Sequence, residues 1–470
     1  MSRYDGEVLH DTSLFPRVKD YPVFLREDDE LLAKFIKTRV QTPNKELLSK
    51  VENSPIRPSP KLIDLMYDSL HDNEFFSYSD EQAYAVSKIV HLVNDSLEYG
   101  ERRTIIVRGG PGTGKSIIAI NVLGKILKEN FDHPNAAYVT ANSAPRNYYL
   151  KQLIEDEMKR AEIRGLFRSP VSLVNSQEEY ACLLFDEAHR MYDWRGGIGV
   201  EKGVNVIERS MKATKVAVFF IDEDQAVTVH DTATIDYIKK LSKKCHKKVF
   251  DEITLKTQFR ATGGNAYLDL VDSLLGYPSA PGGPFVLDNY DFRVFDSAEE
   301  MRNEICKMNE NYRRCRMVAG YDYEWISKEK EHATEPDIVL DGGKFRARWN
   351  LRKDGEPDYS WLFDDDSINE VGCIHTCQGL DMEYCGVIIG QDFRYEDRKI
   401  VYDQTKLAKS DRSSGIRTCK DEALAERLIR NTYKVLLTRG MRGTFVYCED
   451  PALREHIRSL VKVRRGADGI

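Results

Sequence analysis

Beyond residue 72 the chain alternates short apolar runs with longer stretches of helical periodicity. The first runs are Thr104 to Val107, Ala136 to Thr140, Ala181 to Phe185 and Lys215 to Ile221. Each is nearly continuous in apolar character, the mark of a strand buried on both faces. Between them lie segments such as Ile117 to Leu127, apolar and helix-compatible. This alternation predicts a parallel sheet with helices on its faces. A helical segment, Tyr267 to Leu275, runs into Gly276-Tyr277-Pro278, and Gly282-Gly283-Pro284 follows. Breakers at that density predict a boundary. A second series then begins: Phe292 to Phe295, Cys315 to Ala319, Val371 to His375, Gly386 to Ile389 and Thr444 to Tyr447. The expected architecture is α/β, with two tandem lobes at residues 73–278 and 279–470. Residues 1–72, with Pro55, Pro58 and Pro60, form a lead segment that is mostly helical or irregular.

Composition narrows the class. Of 470 residues, 41% are hydrophobic and 31% charged, as in a soluble globular protein with room for two or three domains. No apolar run approaches the roughly 18 residues of a membrane span. Met1 to Pro16 is polar and has no apolar signal core. The nine cysteines show neither a paired framework nor zinc-site spacing, even at Cys373, Cys377 and Cys385. A cytoplasmic setting, reducing and without membrane, is the expectation. The net charge of −7 does not advertise nucleic acid, although a basic channel can sit on an acidic body. The lysine run Lys239, Lys240, Lys243, Lys244, Lys247 and Lys248 is expected to be a solvated helix face, with a phosphate-contacting patch as the alternative.

The chemistry concentrates in one stretch. Gly109-Gly110-Pro111-Gly112-Thr113-Gly114-Lys115-Ser116 fits the phosphate-loop pattern, and a strand-like run precedes it and a helical one follows. That order aims backbone N–H groups and a helix N-terminus at an anion. Lys115 would neutralise the β- and γ-phosphates of ATP, and Ser116 would complete a Mg²⁺ shell. Leu183 to Phe185 then carries Asp186 and Glu187 to the carboxyl edge of the sheet, where ligands of open α/β sheets sit. Asp186 is expected to hold Mg²⁺, and Glu187 to take a proton from the attacking water. Gln225 ends a second apolar strand and could touch the γ-phosphate or its water. Arg260 and Arg439 are candidate arginines for the same group. Gln82 either reads adenine or, with Ser79, forms a capping box; both can hold.

The order of these motifs resembles a superfamily 1 helicase motor. The carriers are Gln82, Gly109 to Ser116, Thr140-Ala141-Asn142, Asp186-Glu187, Asp222 to Gln225 and Gln258-Phe259-Arg260. His375-Thr376-Cys377-Gln378-Gly379-Leu380-Asp381 and Leu437-Thr438-Arg439 complete the series. The finer phrasing, as in Tyr433 to Met441, is similar to the Schlafen-type helicase-like domain and its bacterial DNA/RNA helicase relatives. The resemblance implies two RecA-like P-loop NTPase lobes and an ATPase coupled to single-stranded DNA or RNA. It implies that Gln378, Gly379 and Asp381 approach the nucleotide, and that Gln378 and His375 couple it to nucleic acid. It also implies a strand-then-helix setting for Thr438-Arg439. Thr140, Asn142 and Arg146 on the first lobe, and His375 and Thr376 on the second, are the candidate nucleic-acid contacts. Arg346, Arg348 and Arg352, interleaved with Trp349, suggest either a backbone-tracking loop or a partly exposed hairpin.

Asp186-Glu187-Ala188-His189 spells the name of another helicase group, whose Ser-Ala-Thr and double-arginine motifs are absent here. The spacings from Thr140 to Asp186 and from Arg260 to His375 leave little room for the inserted arms of many superfamily 1 helicases. An ATP-gated switch that grips nucleic acid or a protein without unwinding is therefore the alternative. The family resemblance alone implies a third reading, a defence or stress-response component working beside a nuclease. Residues 1–70 carry no carboxylate-lysine cluster that would make a nuclease of this chain.

Overall fold

The structure is a computed structural model. It describes residues 29–39, 79–129, 135–141, 165–174, 179–193, 204–249, 252–258, 261–328, 334–350, 360–377 and 380–462. The chain forms two compact units, Met1–Arg57 and Pro58–Ile470. In the first, one helix is described, α1 (Asp29–Arg39), with Leu31 largely exposed.

The second unit contains two parallel sheets. Its first described helix, α2 (Asp80–Tyr99), starts at a complete Ser79–Gln82 capping box and stops at Gly100. The first sheet follows: β1 (Arg103–Gly109), β2 (Ala136–Thr140), β3 (Phe167–Arg168), β4 (Tyr180–Asp186), β5 (Thr214–Ile221), β6 (Lys248–Val249) and β7 (Ile253–Leu255). Its spatial order is β3-β2-β4-β5-β1-β6, with β7 also pairing β1. All of these pairings are parallel.

Alternate strand residues feed two separate cores. Ile105, Val107, Leu184, Val218 and Phe220 pack under α2 and α3 (Lys115–Glu129). Ile106, Leu183, Phe185, Phe219 and Ile221 pack under α5 (Val206–Lys212) and α6 (Ile235–Lys244) on the opposite face. A short helix α4 (Pro170–Val174) precedes β4. Double-sided burial is why these strands read as unbroken apolar runs.

The second sheet has the order β12-β9-β13-β16-β8, again all parallel. Its strands are β8 (Asp291–Phe295), β9 (Arg316–Ala319), β12 (Val371–Gly372), β13 (Met382–Ile389) and β16 (Gly440–Cys448). Two antiparallel hairpins lie outside it, β10 (Ile338–Leu340) with β11 (Phe345–Ala347), and β14 (Phe393–Glu396) with β15 (Lys399–Tyr402). The main helices are α7 (Gly264–Leu274), α8 (Ala298–Tyr312), α11 (Glu422–Leu437) and α12 (Pro451–Ser459), with two short ones, α9 (Ser360–Phe363) and α10 (Ile374–Cys377). Helix α7, which the sequence places before residue 278, buries Tyr267, Leu270, Val271 and Leu274 in the core of this second sheet. Two parallel, helix-flanked sheets in tandem are the RecA-like arrangement expected from the pattern.

One strand expectation needs correction. The apolar run Val371 to His375 is a strand only over Val371–Gly372, and a helical turn begins at Ile374. The cause is Thr376, whose hydroxyl accepts from Cys373 N–H at 2.9 Å and donates to Cys373 O at 2.9 Å. This side-chain closure turns the backbone out of the sheet. The lysine run is not a uniform patch. Lys239 pairs with Glu252 and Lys244 with Glu208, while Lys247 is buried on the carbonyls of Thr214 and Lys215.

Candidate functional site

β1 delivers the phosphate loop from inside the first sheet, between β5 and the short β6 and β7. Its last residue, Gly109, pairs with Leu255 of β7. Gly114 adopts φ +86, and a Cβ there would collide with the Gln82 amide. Only glycine allows that turn and that approach together. Gln82 Nε2 donates to Thr113 O at 3.2 Å, and Gln82 Oε1 accepts from Ser79 N at 3.3 Å. The glutamine thus caps its own helix and braces the loop, so adenine reading requires one of these bonds to exchange. Lys115 is 7% exposed and donates to Gly109 O at 2.8 Å and Gly110 O at 2.9 Å. These bonds hold the ammonium over the loop. Thr113 Oγ1 closes the turn on Gly110 O.

β4 lies between β2 and β5 and sets Asp186 opposite Thr140. Asp186 is 2% exposed. Burial, then the adjacent Glu187, pushes its carboxyl up to about 6, against the pull of Ser116, Tyr138 and Lys115. The Tyr138 hydroxyl donates to Oδ2, while Oδ1 is buried without a hydrogen-bond donor. An orphaned, buried carboxylate oxygen beside the Ser116 hydroxyl fits a hard divalent cation that takes its other ligands from phosphate and water. Among the described residues, no cluster of three or more His, Cys, Asp or Glu forms an all-protein cage. None of the nine cysteines forms a disulfide.

Glu187 follows in the left-handed region, φ +49. His189 is fully buried, and burial holds its imidazole neutral, down to about 3. Its Nδ1 accepts from Asp222 N–H at 3.4 Å, which leaves the ring proton on Nε2. That Nε2 lies 3.3 Å from Glu187 Oε2. Asp222 also caps the one-turn helix Glu223–Gln225, and Gln225 Nε2 donates to Asp222 Oδ2 at 2.7 Å.

The second lobe meets this edge at several points. After β7, Gln258 pins the chain through Ala261 and Gly264, and Thr262 N–H donates to Met441 O at 2.9 Å. Met382 pairs with Gly440, so Asp381 and Arg439 leave the second sheet side by side at its amino edge. Thr438-Arg439 lies between a helix and a strand, α11 then β16, which reverses the expected strand-helix order. Arg439 is buried within its lobe, its Nε donating to Val435 O at 2.9 Å. The Arg190 guanidinium lies 3.3 Å from His375 Nδ1.

Thr140 is buried at the tip of β2. Thr376 is buried with its hydroxyl spent on the Cys373 backbone, so the structure gives it a turn-closing role in place of an open nucleic-acid contact. Trp349 is also buried, and Arg348 Nε donates to Glu370 Oε1 at 3.0 Å, so this part of the Arg/Trp interleave packs into the second lobe. Asn142, Arg146, Arg260, Arg352, Gln378 and Gly379 lie outside the described residues. Tyr138, Arg190, Asn431 and Lys434 carry no motif signal of their own in the sequence. Each reaches a motif through a contact distant in sequence.

The fold and site define the class: a tandem RecA-like protein with a phosphate loop, of helicase type. The model of the Schlafen group 3 DNA/RNA helicase domain matches residues 102–450, and the chain belongs to that family. A relative in Saccharomyces cerevisiae, "Uncharacterized protein YPL245W", is 28% identical over 392 residues, spanning 75% of this chain and 83% of that protein. Among solved structures, the DEAD-box helicase Mss116 bound to ssRNA and UDP-BeF aligns over 87% of this chain and 77% of its own, at 12% identity and a TM-score of 0.40.

Proposed function

We propose that the chain is a Mg²⁺-dependent ATPase whose turnover is coupled to binding of, and translocation along, single-stranded DNA or RNA. The observation that carries this reading is the convergence of Lys115, Ser116, Asp186 and Glu187 at the carboxyl edge of one sheet. Lys115 and the loop N–H groups bind the phosphates, with Gly109 to Gly114 as the cradle. Ser116 and Asp186 would hold Mg²⁺, which when bound would supply charge neutralisation as the phosphoryl group departs. Glu187 takes the proton of the attacking water at its carboxylate, with His189 placed beside it. Gln225 faces the γ-phosphate side, and Gln82 and Asp381 the nucleoside side. Arg260 and Arg439 complete the charge around the γ-phosphate once the lobes close. His375 with Thr140, Asn142 and Arg146 grips the strand. Nine cysteines without a disulfide suit work in a reducing, cytoplasmic setting.

The test is ATP turnover titrated with single-stranded DNA, single-stranded RNA, transfer RNA and duplex, followed by strand displacement. Lys115→Ala and Glu187→Gln are expected to lose at least about 10²-fold in turnover, with Glu187→Gln still binding ATP. Wild-type hydrolysis in Glu187→Gln would remove it as the base. Nucleotide-dependent grip without displacement would favour the switch, alone or beside a nuclease.

A further inference from the structure

Asparagine gains little from the middle of a helix, yet Asn431 sits in α11 with no exposed surface. Its amide accounts for the burial. Nδ2 donates to Glu223 O at 3.3 Å and to Ala226 O at 2.9 Å, the carbonyls on either side of Gln225. Oδ1 accepts from the Tyr277 hydroxyl at 3.3 Å. Three residues on, along the same helix face, Lys434 Nζ lies 3.0 Å from Asp224 Oδ2 and 3.0 Å from Asp272 Oδ1. It also sits 4.3 Å from the centre of the Tyr277 ring. The one-turn helix bearing Gln225 is thus held by its backbone and by its acid from the second lobe. Tyr277, in the connection after α7, and Asp272, on α7, close the ring of contacts. On its other side the same turn is tied to the first lobe through Asp222 and His189.

We propose that Asn431 and Lys434 are positioning residues that clamp the Gln225 turn to the second lobe, so that lobe movement and the placement of Gln225 change together. Withdrawing α11 would leave a buried amide and a buried ammonium without partners, which the fold resists. The turn therefore either travels with the second lobe or is released as a unit. The inference rests on the reading of Gln225 as the residue that faces the γ-phosphate.

The experiment uses the full chain and has two arms. In hydrogen exchange without nucleotide, Asn431→Asp sets a carboxylate against two carbonyls. Amides of residues 223–229 should then exchange about tenfold faster, while those of α3 keep the wild-type rate. Lys434→Met should act in the same direction, and Lys434→Arg should restore protection. Asp224 is half exposed, so Asp224→Asn tests the ion pair without threatening the fold. In the turnover arm, Asn431→Asp and Lys434→Met should lower kcat about tenfold with the ATP Kd changed less than about twofold. Wild-type exchange at residues 223–229 in Asn431→Asp overturns the clamp. So does equal acceleration in α3, or an Asp224→Asn variant with no local change. A wild-type protein that turns over no ATP sinks the ATPase reading, while the exchange arm still decides the clamp.

Discussion

Arg190 Nη2 lies 3.3 Å from His375 Nδ1, joining the strand tip that carries Asp186 and Glu187 to the second lobe. Arginine only donates, so Nδ1 is the acceptor and the ring proton belongs on Nε2, 2.8 Å from the Tyr321 hydroxyl. The other arm of Arg190 is held 3.0 Å from Asp231, which also accepts from Val227 and Thr228 N–H. One imidazole thus has a tie to each lobe.

If that contact carries information between nucleic acid and nucleotide, Arg190→Gln and His375→Ala should each remove most of the stimulation of turnover by a single strand. Acting as one unit, they should be non-additive, with a coupling energy of about 0.5–3 kcal/mol in a double-mutant cycle. Turnover with and without saturating strand measures it. Additive losses would mean that the two side chains act separately.

Asp186 gives a pH signature. Its carboxyl is lifted to about 6, chiefly by burial, so without ligand the folded protein keeps a proton that the unfolded chain has lost. This group therefore favours the fold at low pH, and its contribution declines as pH rises from about 4 to about 6. Metal binding has the opposite demand and needs the carboxylate. Affinity for Mg²⁺ with a non-hydrolysable ATP analogue should fall up to about tenfold per pH unit below about 6. Tyr138→Phe removes a donor that favours the charged form, so the fall should begin at higher pH. Calorimetric titration across that range checks both. An unmoved profile in Tyr138→Phe would show that the hydroxyl does not tune the acid.

His189 works in the opposite sense. Burial holds it neutral, with its pKa depressed to about 3. Between that value and the usual histidine range the unfolded chain binds the extra proton. Its contribution to stability is complete above about pH 6.5 and is lost as pH falls from there toward about 3. Denaturant unfolding should show stability declining with acid in the wild type more steeply than in His189→Gln. A parallel decline in both would assign the acid limb to other groups.

How much of this was legible follows from where each signal resides. β1, the phosphate loop and α3 declare themselves locally, because an apolar run, fixed glycines and a Lys-Ser pair lie within one stretch. β4 and β5 are equally clear, since both faces are buried and Ala181–Phe185 and Val216–Ile221 are unbroken apolar runs. β6 and β7 are too short for any period, yet β7 sets Leu255 against Gly109. Val371 to His375 misled because Ile374 extends the apolar run, while the deciding bond comes from a hydroxyl at Thr376. Asn431 and Lys434 belong to no motif that their neighbours in sequence would mark. Their burial arises from Glu223, Asp224 and Ala226, about 200 residues earlier, and no local pattern encodes a contact at that range.

Gly372 offers a test of the second lobe that is independent of nucleotide. It pairs with Val318 at the edge strand β12 and faces the ring of Trp361. A Cβ added there would meet Trp361 Cη2 at 2.5 Å and Cζ2 at 2.6 Å, closer than any real contact. The ring is buried, and its backbone is held where the Trp361 carbonyl accepts from the buried Arg316 Nε at 3.3 Å and from the Ser367 hydroxyl. Gly372→Ala should therefore cost about 1–3 kcal/mol by overpacking, read as a lower midpoint in denaturant. Trimming the ring opens the missing space, so Trp361→Leu combined with Gly372→Ala should cost less than the sum of the two single changes. Simple additivity would place the strain at Gly372 elsewhere than on that ring.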